Sequence, residues 1–293
     1  MKPNVWQAMK PAELSLGDFL RRTSPEITHL VELPQQTLLV LLSHVLKQPQ
    51  TWILAHPEAR LSAPQRAELT ALVARLKQGE PLPYLTGRQE FFGLCFEVSP
   101  VVLIPRPETE LLVETALRWL RSHPAANSAV DVGTGSGCIA VSLAANTPSL
   151  HIVATDISAE ALAIAQRNAQ FHHVEDRITF QEADLISADL GRFDLICANL
   201  PYVPTSELAK VNSLPYEPAS ALDGGPDGLA LIKRCLADAP AHIRAPGMLL
   251  FEIEATTGDA ALALACNVFP QAKISLMPDL TGKDRLLTIE LEP

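Results

Sequence analysis

The feature that most constrains the fold of this chain is an alternation of short apolar runs with longer helical segments after residue 127. Seven runs have the length and composition of strands, and they read SAVDV, HIVATD, ITFQEAD, FDLICAN, GMLLFEIE, KISLMPD and RLLTIELE. The alternation predicts an α/β fold with a doubly wound, mostly parallel sheet of seven strands. Only TGKD separates the last two runs, so we expect a hairpin that makes one edge strand antiparallel.

The first 80 residues carry only helical signals and predict a small all-α domain, residues 1–80. Its three helical segments read SLGDFLRR, LPQQTLLVLLSHVL and SAPQRAELTALVARLKQG. In the third, Ser62 is the expected N-cap and Gly79 the expected end of the helix. The expected apolar face of that helix consists of Leu69, Leu72, Val73 and Leu76.

Residues 81–104 are predicted to be a linker to an α/β domain, residues 105–293. Prolines interrupt helical periodicity in EPLPYLTG, and FFGLCFEVSPVVLIP has the pattern of two β runs around a turn at Ser99 and Pro100. We therefore expect a β-hairpin between the two domains.

The charge and the cysteines limit the classes of partner. Acidic residues outnumber basic ones by 33 to 23, and the resulting net charge of −10 repels phosphate backbones, so we expect no direct nucleic acid partner. The five cysteines are odd in number and widely spaced, as is typical of buried thiols in a reducing compartment. The apolar runs are too short to cross a bilayer, so we expect a cytoplasmic protein without membrane association. No pair of histidines has metal-ligand spacing, so we expect no metal site.

The segment DVGTGSGCIA passes from a strand into a helix and carries Gly133, Gly135 and Gly137. Glycine has no Cβ, so a ligand can approach the backbone and the N-terminus of the helix. The segment also satisfies the dinucleotide fingerprint G-x-G-x-x-A, and a tight turn without a ligand has the same composition. A cofactor site, a dehydrogenase and a ligand-free turn are all open at this point.

Two carboxylates follow the next two strands. Asp156 ends HIVATD and is expected at the crevice where a ribose presents its hydroxyls. Asp184 ends ITFQEAD beside Leu185 and suits an acceptor for an exocyclic amine. Each carboxylate also has an alternative role within its own segment of chain. Asp156 could cap the next helix, a role that Ser158 also fits, and Asp184 could start a turn.

The fourth strand ends in an unusual corner, ICANLPYVP. Asn199 closes the strand, Pro201 and Pro204 stiffen the backbone, and Tyr202 is the single aromatic. By the open-sheet rule, Asn199 faces the same crevice as Gly133. A dehydrogenase has no evident use for such a corner.

Four motifs together resemble the N(5)-glutamine methyltransferases that act on peptide chain release factors. They are LIPRPETE, DVGTGSGCIA, NLPYVP and YEPASALDGGPDGL, in the order and approximate spacing of that family. The resemblance covers nearly the whole chain and implies a Rossmann-like methyltransferase fold. It also implies S-adenosylmethionine as cofactor, with S-adenosylhomocysteine as product, and the glutamine of the release factor Gly-Gly-Gln motif as substrate. The helical domain is then expected to dock the substrate.

The resemblance also implies which residues form the site. Cofactor contacts fall on Gly133, Thr134, Gly135, Ser136, Gly137, Asp156, Asp184, Leu185 and Asn199. The catalytic corner that holds the glutamine falls on Asn199, Leu200, Pro201 and Tyr202. Arg106 and Glu108 are expected to bind substrate in the same pocket, the alternative being solvated surface charges. The chain departs from the family at Leu200, where the family has proline, and this bears on the rigidity of the corner and the identity of the substrate.

The corner suits methyl transfer to an amide nitrogen. That nitrogen is a poor nucleophile, because its lone pair is delocalised, and its N–H is too weakly acidic for a side-chain base to ionise. We expect the Asn199 side-chain oxygen and the Leu200 carbonyl to accept its two N–H groups and aim it at the methyl group. Tyr202 is expected to lay its ring against the amide.

Three other functions are compatible with parts of this site. A glutamine methyltransferase could act on a ribosomal protein, and a nucleic-acid adenine methyltransferase would use the corner on an exocyclic amine. A noncatalytic S-adenosylmethionine-binding module needs no corner at all. The negative charge disfavours the nucleic-acid enzyme, and the intact corner disfavours the noncatalytic module. We expect a monomer, in which residues 223–228 form either a mobile lid or a turn where Asp227 caps the next helix.

Overall fold

The computed structural model describes residues 14–211 and 215–292. The chain forms two compact units that divide between Gly87 and Arg88, inside the predicted linker. The first 13 residues of the predicted helical domain lie outside the described ranges, as does Pro293 at the end of the predicted α/β domain. No helix within those ranges is long and apolar enough to cross a membrane.

The first unit consists of helices. Their bounds are α1 Leu16–Ile27, α2 Pro34–Leu46, α3 Gln50–Ala55, α4 Ala63–Lys77 and α5 Leu82–Thr86. The three predicted helices are confirmed as α1, α2 and α4, and the predicted apolar face of α4 is buried. Ser62 caps α4 in a capping box with Gln65, and Gly79 (φ 96°) donates its N–H to the Leu76 carbonyl at the other end. Helix α5 lies where prolines suggested a break, because a proline in the first helical turn removes no hydrogen bond.

The second unit begins with an antiparallel hairpin of β1, Arg88–Phe91, and β2, Leu94–Glu97. The predicted turn at Ser99 and Pro100 is present, since the Val102 N–H donates to the Ser99 carbonyl at 3.1 Å, but it does not connect the two strands of the hairpin. The chain turns at Phe92 (φ 50°) and Gly93 (φ 73°) instead, and two consecutive positive φ angles match the twist of a tight hairpin. The run after Ser99 is irregular, and its residues line a cavity at the edge of the main sheet.

The main sheet has seven strands in the order β5-β4-β3-β6-β7-β9-β8. Their bounds are β3 Ser128–Val132, β4 His151–Asp156, β5 Ile178–Glu182, β6 Phe193–Ala198, β7 Ile243–Glu252, β8 Lys273–Pro278 and β9 Asp284–Leu291. All seven predicted strands are confirmed. The predicted hairpin of the last two strands is confirmed as β8 and β9. The antiparallel strand is not at the edge as expected, because β9 is antiparallel to both neighbours and lies between β7 and β8. The burial of β9 explains this, since Leu286, Leu287 and Ile289 are buried while β8 alternates toward solvent.

Helices cover both faces of the sheet, as the doubly wound prediction requires. Their bounds are α6 Glu110–Ser122, α7 Cys138–Asn146, α8 Ala159–Phe171, α9 Ala230–His242 and α10 Gly258–Val268. One core cluster joins the sheet to α6 and α7, and a second joins it to α9 and α10. The strand order reverses between β3 and β6, so the crevice of this sheet opens where those two strands end.

Candidate active site

A cavity of about 310 Å³ lies at the carboxyl ends of the parallel strands. Residues that follow β3, β4, β5 and β6 form its floor. Loop residues between 101 and 109 and between 218 and 221 also line it. The cavity therefore occupies the crevice that the strand order predicts for a ligand.

The glycine turn after β3 shapes one wall of this cavity. Gly133, Gly135 and Gly137 have φ angles of 71°, 55° and 80°, which L residues rarely adopt. A Cβ at Gly135 would meet nothing within 4 Å, so the space above it is open to a ligand. A Cβ at Gly137 would lie 3.0 Å from the Ala165 Cβ, and Gly137 is not among the lining residues. Gly137 thus serves close packing of α7 on α8, whereas Gly133, Thr134, Gly135 and Ser136 line the cavity.

Asp156 is held rigidly at the end of β4. One carboxylate oxygen accepts the Gly135 N–H and the other accepts the Ser158 N–H, both at 2.9 Å. Ser158 is the N-cap of α8, as predicted, and accepts the Ala161 N–H at 3.2 Å. Each carboxylate oxygen keeps a second lone pair, so Asp156 can still accept hydroxyl groups from a ligand in the cavity.

Asp184 and Leu185, which follow β5, also line the cavity. The Asp184 carboxylate pairs with the Arg234 guanidinium at 2.7 Å, and both side chains are about half exposed. Leu185 has a φ of 64°, and its carbonyl accepts the buried Thr155 hydroxyl at 3.2 Å. A left-handed leucine is strained, and this hydrogen bond helps to hold it with its side chain at the cavity wall.

The corner after β6 brings Asn199, Leu200 and Pro201 to the cavity. The Asn199 Nδ2 donates to the Thr109 Oγ1 at 3.0 Å, and its Oδ1 has no hydrogen-bond partner among residues 14–211 and 215–292. The Leu200 carbonyl, beyond the end of the strand, accepts no loop or turn hydrogen bond from those residues. Two acceptors are thus available at one strand end. Tyr202 is not among the lining residues, and its hydroxyl donates to Glu252 at 3.0 Å.

The loop predicted as either a lid or a turn packs tightly on this corner. The Val203 N–H donates to the Leu222 carbonyl, and a Cβ at Gly228 would lie 2.4 Å from the Tyr202 carbonyl oxygen. Asp227 accepts the Leu229 N–H at 3.1 Å and bonds Lys233 at the start of α9. The loop therefore packs against the corner. The predicted capping of α9 by Asp227 is wrong, because the N-cap is Leu229 and no side chain caps the helix, so Asp227 bonds the N-cap residue itself.

Arg106 lines the cavity and Glu108 does not. Arg106 makes two hydrogen bonds to Glu217, at 2.8 and 2.6 Å, and the Glu217 side chain is fully buried. Glu217 also accepts the Ile104 N–H at 3.2 Å, so it ties the loop before α6 to the chain that precedes α9. Glu108 is exposed, which agrees with the alternative of a solvated charge.

Asp131, Thr109 and Glu252, like Glu217, are buried polar residues behind these loops that were not predicted from the sequence. Asp131 accepts the Thr134 hydroxyl at 2.6 Å and the Ala140 N–H at 3.1 Å, and burial raises the pKa of its carboxyl to about 6. Thr109 and Glu252, each 1% exposed, stand next to Asn199 and Tyr202. The signal available in the sequence was Glu252 itself, an acidic residue inside the apolar run GMLLFEIE. No group of three or more metal-ligating side chains occurs in the described part of the chain.

Several known proteins are similar to this chain in sequence. Residues 18–87 match the PrmC N-terminal domain, and residues 107–214 match the methyltransferase small domain. The chain is 39% identical over 258 residues to the release factor glutamine methyltransferase of Koribacter versatilis (strain Ellin345), covering 87% of this chain and 90% of that protein. It is 41% identical over 258 residues to the protein of that name from Bordetella pertussis (strain Tohama I), covering 87% of this chain and 94% of that protein.

Among solved structures, the hMettl16 catalytic domain in complex with MAT2A 3'UTR hairpin 6 is similar with a TM-score of 0.55 and 16% identity. The alignment covers 78% of this chain and 82% of that chain, and at this identity it supports the fold alone. The relatives in sequence are far more similar and extend over both units. The resemblance that the four motifs indicate is therefore confirmed, and the chain belongs to the release factor glutamine methyltransferase family.

Proposed function

We propose that this protein transfers a methyl group from S-adenosylmethionine to the side-chain amide nitrogen of the glutamine in the Gly-Gly-Gln motif of peptide chain release factors. The observation that carries the proposal is the Asn199 Oδ1, an acceptor without a partner in the described ranges, in the cavity that also contains the glycine turn and Asp156. Relatives at 39% and 41% identity over most of both chains are named for this reaction.

The residues around the glycine turn fit the cofactor. The open space above Gly135 lets a ligand approach the backbone, and the Asp156 carboxylate, held by two N–H groups, would accept ribose hydroxyls. Ile157, 65% exposed, and Leu185 give apolar surfaces for a flat ring, with Asp184 at its rim. When bound, S-adenosylmethionine supplies an electrophilic methyl group on a positively charged sulfur.

The corner prepares the nucleophile by positioning. The Asn199 Oδ1 and the Leu200 carbonyl accept the two N–H groups of the substrate amide and direct its nitrogen toward the cofactor side of the cavity. As the nitrogen becomes positively charged, its N–H groups become stronger donors, so both hydrogen bonds strengthen in the transition state. A proton leaves the nitrogen after the methyl group has been transferred.

Pro201 and Tyr202 complete the corner. Pro201 excludes the helical region for Leu200 and so favours the extended backbone that presents the Leu200 carbonyl. The Tyr202 hydroxyl is bound to Glu252, and burial, with the Glu252 charge acting in the same direction, raises the pKa of Tyr202 far above its ordinary value. Tyr202 thus stays a neutral hydrogen-bond donor, and the contact of its ring with the substrate amide remains a prediction.

Two further assignments extend this proposal. The helical unit contributes none of the cofactor motifs, which supports docking of the release factor as its role. The net charge of −10 supports a protein substrate without direct nucleic acid binding. We also propose that the protein acts as a monomer in the cytoplasm, where its substrates take part in translation.

The test is incubation of the purified protein with release factors and S-adenosylmethionine, followed by mass spectrometry of the peptide that contains Gly-Gly-Gln. A mass gain of one methyl group on the glutamine supports the proposal. Methylation of a ribosomal protein or of adenine, with unmodified release factors, would replace it with one of the alternatives. Cofactor binding without any transfer would indicate the noncatalytic module.

A further inference from the structure

Glu217 is a buried carboxylate that joins two loops of the cavity wall. Its Oε1 accepts the Ile104 N–H at 3.2 Å and the Arg106 Nη2 at 2.8 Å, and its Oε2 accepts the same Arg106 nitrogen at 2.6 Å. The side chain has no exposed surface, and a buried charge is costly unless it is paired and hydrogen-bonded. These contacts meet that requirement, so they fix the loop before α6 against the chain that precedes α9.

Both of these loops are also bonded to the corner after β6. On one side, the Thr109 N–H donates to the Arg106 carbonyl at 3.1 Å, and the Thr109 Oγ1 accepts the Asn199 Nδ2 at 3.0 Å. On the other side, the Leu222 carbonyl accepts the Val203 N–H at 2.9 Å. The ion pair thus closes a ring of contacts that begins and ends at the corner, and Arg106 belongs to the part of the cavity wall that adjoins the corner.

Arg106 keeps donors that the ion pair does not use. A guanidinium carries N–H groups on Nε, Nη1 and Nη2. The Nη2 makes both bonds to Glu217, and neither Nε nor Nη1 makes a hydrogen bond within residues 14–211 and 215–292. The side chain lines the cavity and is 36% exposed. Because Glu217 compensates the charge of Arg106, the remaining N–H groups suit a neutral carbonyl oxygen better than a carboxylate.

The segment that carries the substrate glutamine offers such oxygens. Its two glycines have no side chain, so hydrogen bonds to them involve main-chain N–H and carbonyl groups. The corner supplies only acceptors to the glutamine amide, the Asn199 Oδ1 and the Leu200 carbonyl. Arg234 also lines the cavity, but it pairs with Asp184, which follows β5. Arg106 is therefore the better placed of these two arginines to donate to the main chain of the substrate.

We propose that Glu217 is a positioning residue that holds Arg106 so that its free N–H groups donate to the main-chain carbonyl oxygens of the Gly-Gly-Gln segment. This inference rests on the proposed function, because it names the contact by which the same site recognises that substrate. The contact forms when the substrate binds and does not change as the methyl group moves. Its loss should therefore weaken binding of the release factor without slowing the chemical step.

Arg106→Lys is the first test, because lysine keeps a positive charge for Glu217 but loses the planar set of N–H groups. The KM for a release factor and the single-turnover rate at saturating release factor and S-adenosylmethionine are measured, and calorimetry measures binding of S-adenosylhomocysteine. We expect the KM to rise roughly ten- to hundredfold. The saturated rate and the affinity for S-adenosylhomocysteine should change by less than about threefold.

Glu217 provides the second set of variants. Both carboxylate oxygens accept from Arg106, so either orientation of the amide in Glu217→Gln places an NH₂ group against the guanidinium, and we expect a similar rise in KM. Glu217→Asp keeps the charge on a shorter side chain and should give a smaller rise. The double variant Arg106→Lys/Glu217→Gln should have a KM close to that of the weaker-binding single variant, because both changes affect one contact.

Asp194→Asn is the matched control. Asp194 accepts the Asn127 and Ser128 N–H groups, both at 3.0 Å, and pairs with Arg244, but it is not among the residues that line the cavity. The variant removes the same kind of ion pair at the opposite edge of the sheet, near the start of β6. It should change the KM by less than about threefold, and thermal unfolding checks the fold of every variant.

The outcomes separate this inference from the function on which it rests. An unchanged KM in Arg106→Lys overturns the contact with the substrate. A loss of affinity for S-adenosylhomocysteine in proportion to the rise in KM also overturns it, because Arg106 would then hold the cofactor carboxylate. A raised KM in Arg106→Lys but in neither Glu217 variant contradicts the positioning role, and Glu217→Asp decides that role if Glu217→Gln does not fold. A wild-type protein that methylates no release factor overturns the proposed function, and this inference with it.

Discussion

The side chain of Leu200 covers the Cα of Gly133, and a Cβ at Gly133 would lie 3.1 Å from the Leu200 Cδ2. This contact joins the corner that is proposed to hold the substrate to the turn that is proposed to hold the cofactor. Leu200 is 3% exposed, so its side chain is part of the core under the cavity. The residue at which the chain departs from its family is therefore a packing residue as well as a source of a backbone acceptor.

Leu200→Pro, which restores the family residue, is expected to keep the transfer rate within a few-fold of wild type. The carbonyl that accepts the substrate N–H remains, and Pro201 already restricts the backbone at position 200. The loss of buried side-chain atoms beside Gly133 should cost about 1 to 2 kcal/mol of the free energy of unfolding, partly offset by the stiffer chain. Single-turnover rates and denaturant unfolding measure the two effects. Abolished transfer in a stably folded variant would contradict the role of the carbonyl.

Asn199→Ala is expected to lower the rate of methyl transfer by roughly a hundredfold or more, because it removes an acceptor whose hydrogen bond strengthens in the transition state. The same single-turnover assay applies. Asn146→Ala is the matched control, since the Asn146 amide bonds a helix carbonyl, that of Ser142, and lies outside the cavity. An unchanged rate in Asn199→Ala would exclude the two-acceptor arrangement.

Asp156→Ala is expected to weaken S-adenosylmethionine binding roughly ten- to hundredfold, because a charged hydrogen-bond acceptor contributes about 1.5 to 3 kcal/mol. The change also frees the Gly135 and Ser158 N–H groups that the carboxylate holds. Asp156→Asn keeps one acceptor oxygen and should give an intermediate loss. Calorimetry on the folded variants measures the affinities, with exposed Asp176→Ala as control. Equal affinities in all four proteins would contradict the assignment.

Gly228→Ala is expected to destabilise the corner and lower activity. Its φ is 74°, and the new Cβ would lie 2.4 Å from the Tyr202 carbonyl oxygen. Gly282→Ala is the matched control, because Gly282 has a φ of 80° but open space around its Cβ position. The free energy of unfolding of the control should fall by only about 1 to 2 kcal/mol, the cost of a left-handed alanine, and that of Gly228→Ala should fall further. Thermal unfolding and transfer rates compare the two, and equal losses would show that the close packing on Tyr202 is unimportant.

A chain that begins at Arg88 is expected to bind S-adenosylmethionine like the full protein but to lose most activity on an intact release factor. All residues that line the cavity lie after Gly87, whereas the helical unit is the proposed docking surface. Calorimetry and methyl transfer on an intact release factor measure the two properties, and circular dichroism checks the fold. Full activity of the shortened chain would refute the docking role.

The sequence by itself determined the strands, their mostly parallel arrangement and the edge of the sheet that carries the site. Burial in a parallel sheet demands apolar runs of strand length, and the carboxyl ends of parallel strands meet at one edge. For this reason the glycine turn, Asp156 and Asn199 could be assigned to one crevice without coordinates. Ser62 and Gly79 could be assigned in the same way, because helix ends depend on residues that are close in the chain.

Only the tertiary structure decided which distant residues share the interior. The insertion of β9 between β7 and β8 depends on the burial of both faces of β9, which a hairpin pattern does not reveal. The buried partners of the site, Glu217 for Arg106 and Glu252 for Tyr202, are separated from them by 111 and 50 residues. Local periodicity reports which residues are buried but not which buried polar groups meet. The direction of the Asn199 amide likewise depends on Thr109, a residue 90 positions away in the chain that accepts its Nδ2 hydrogen bond.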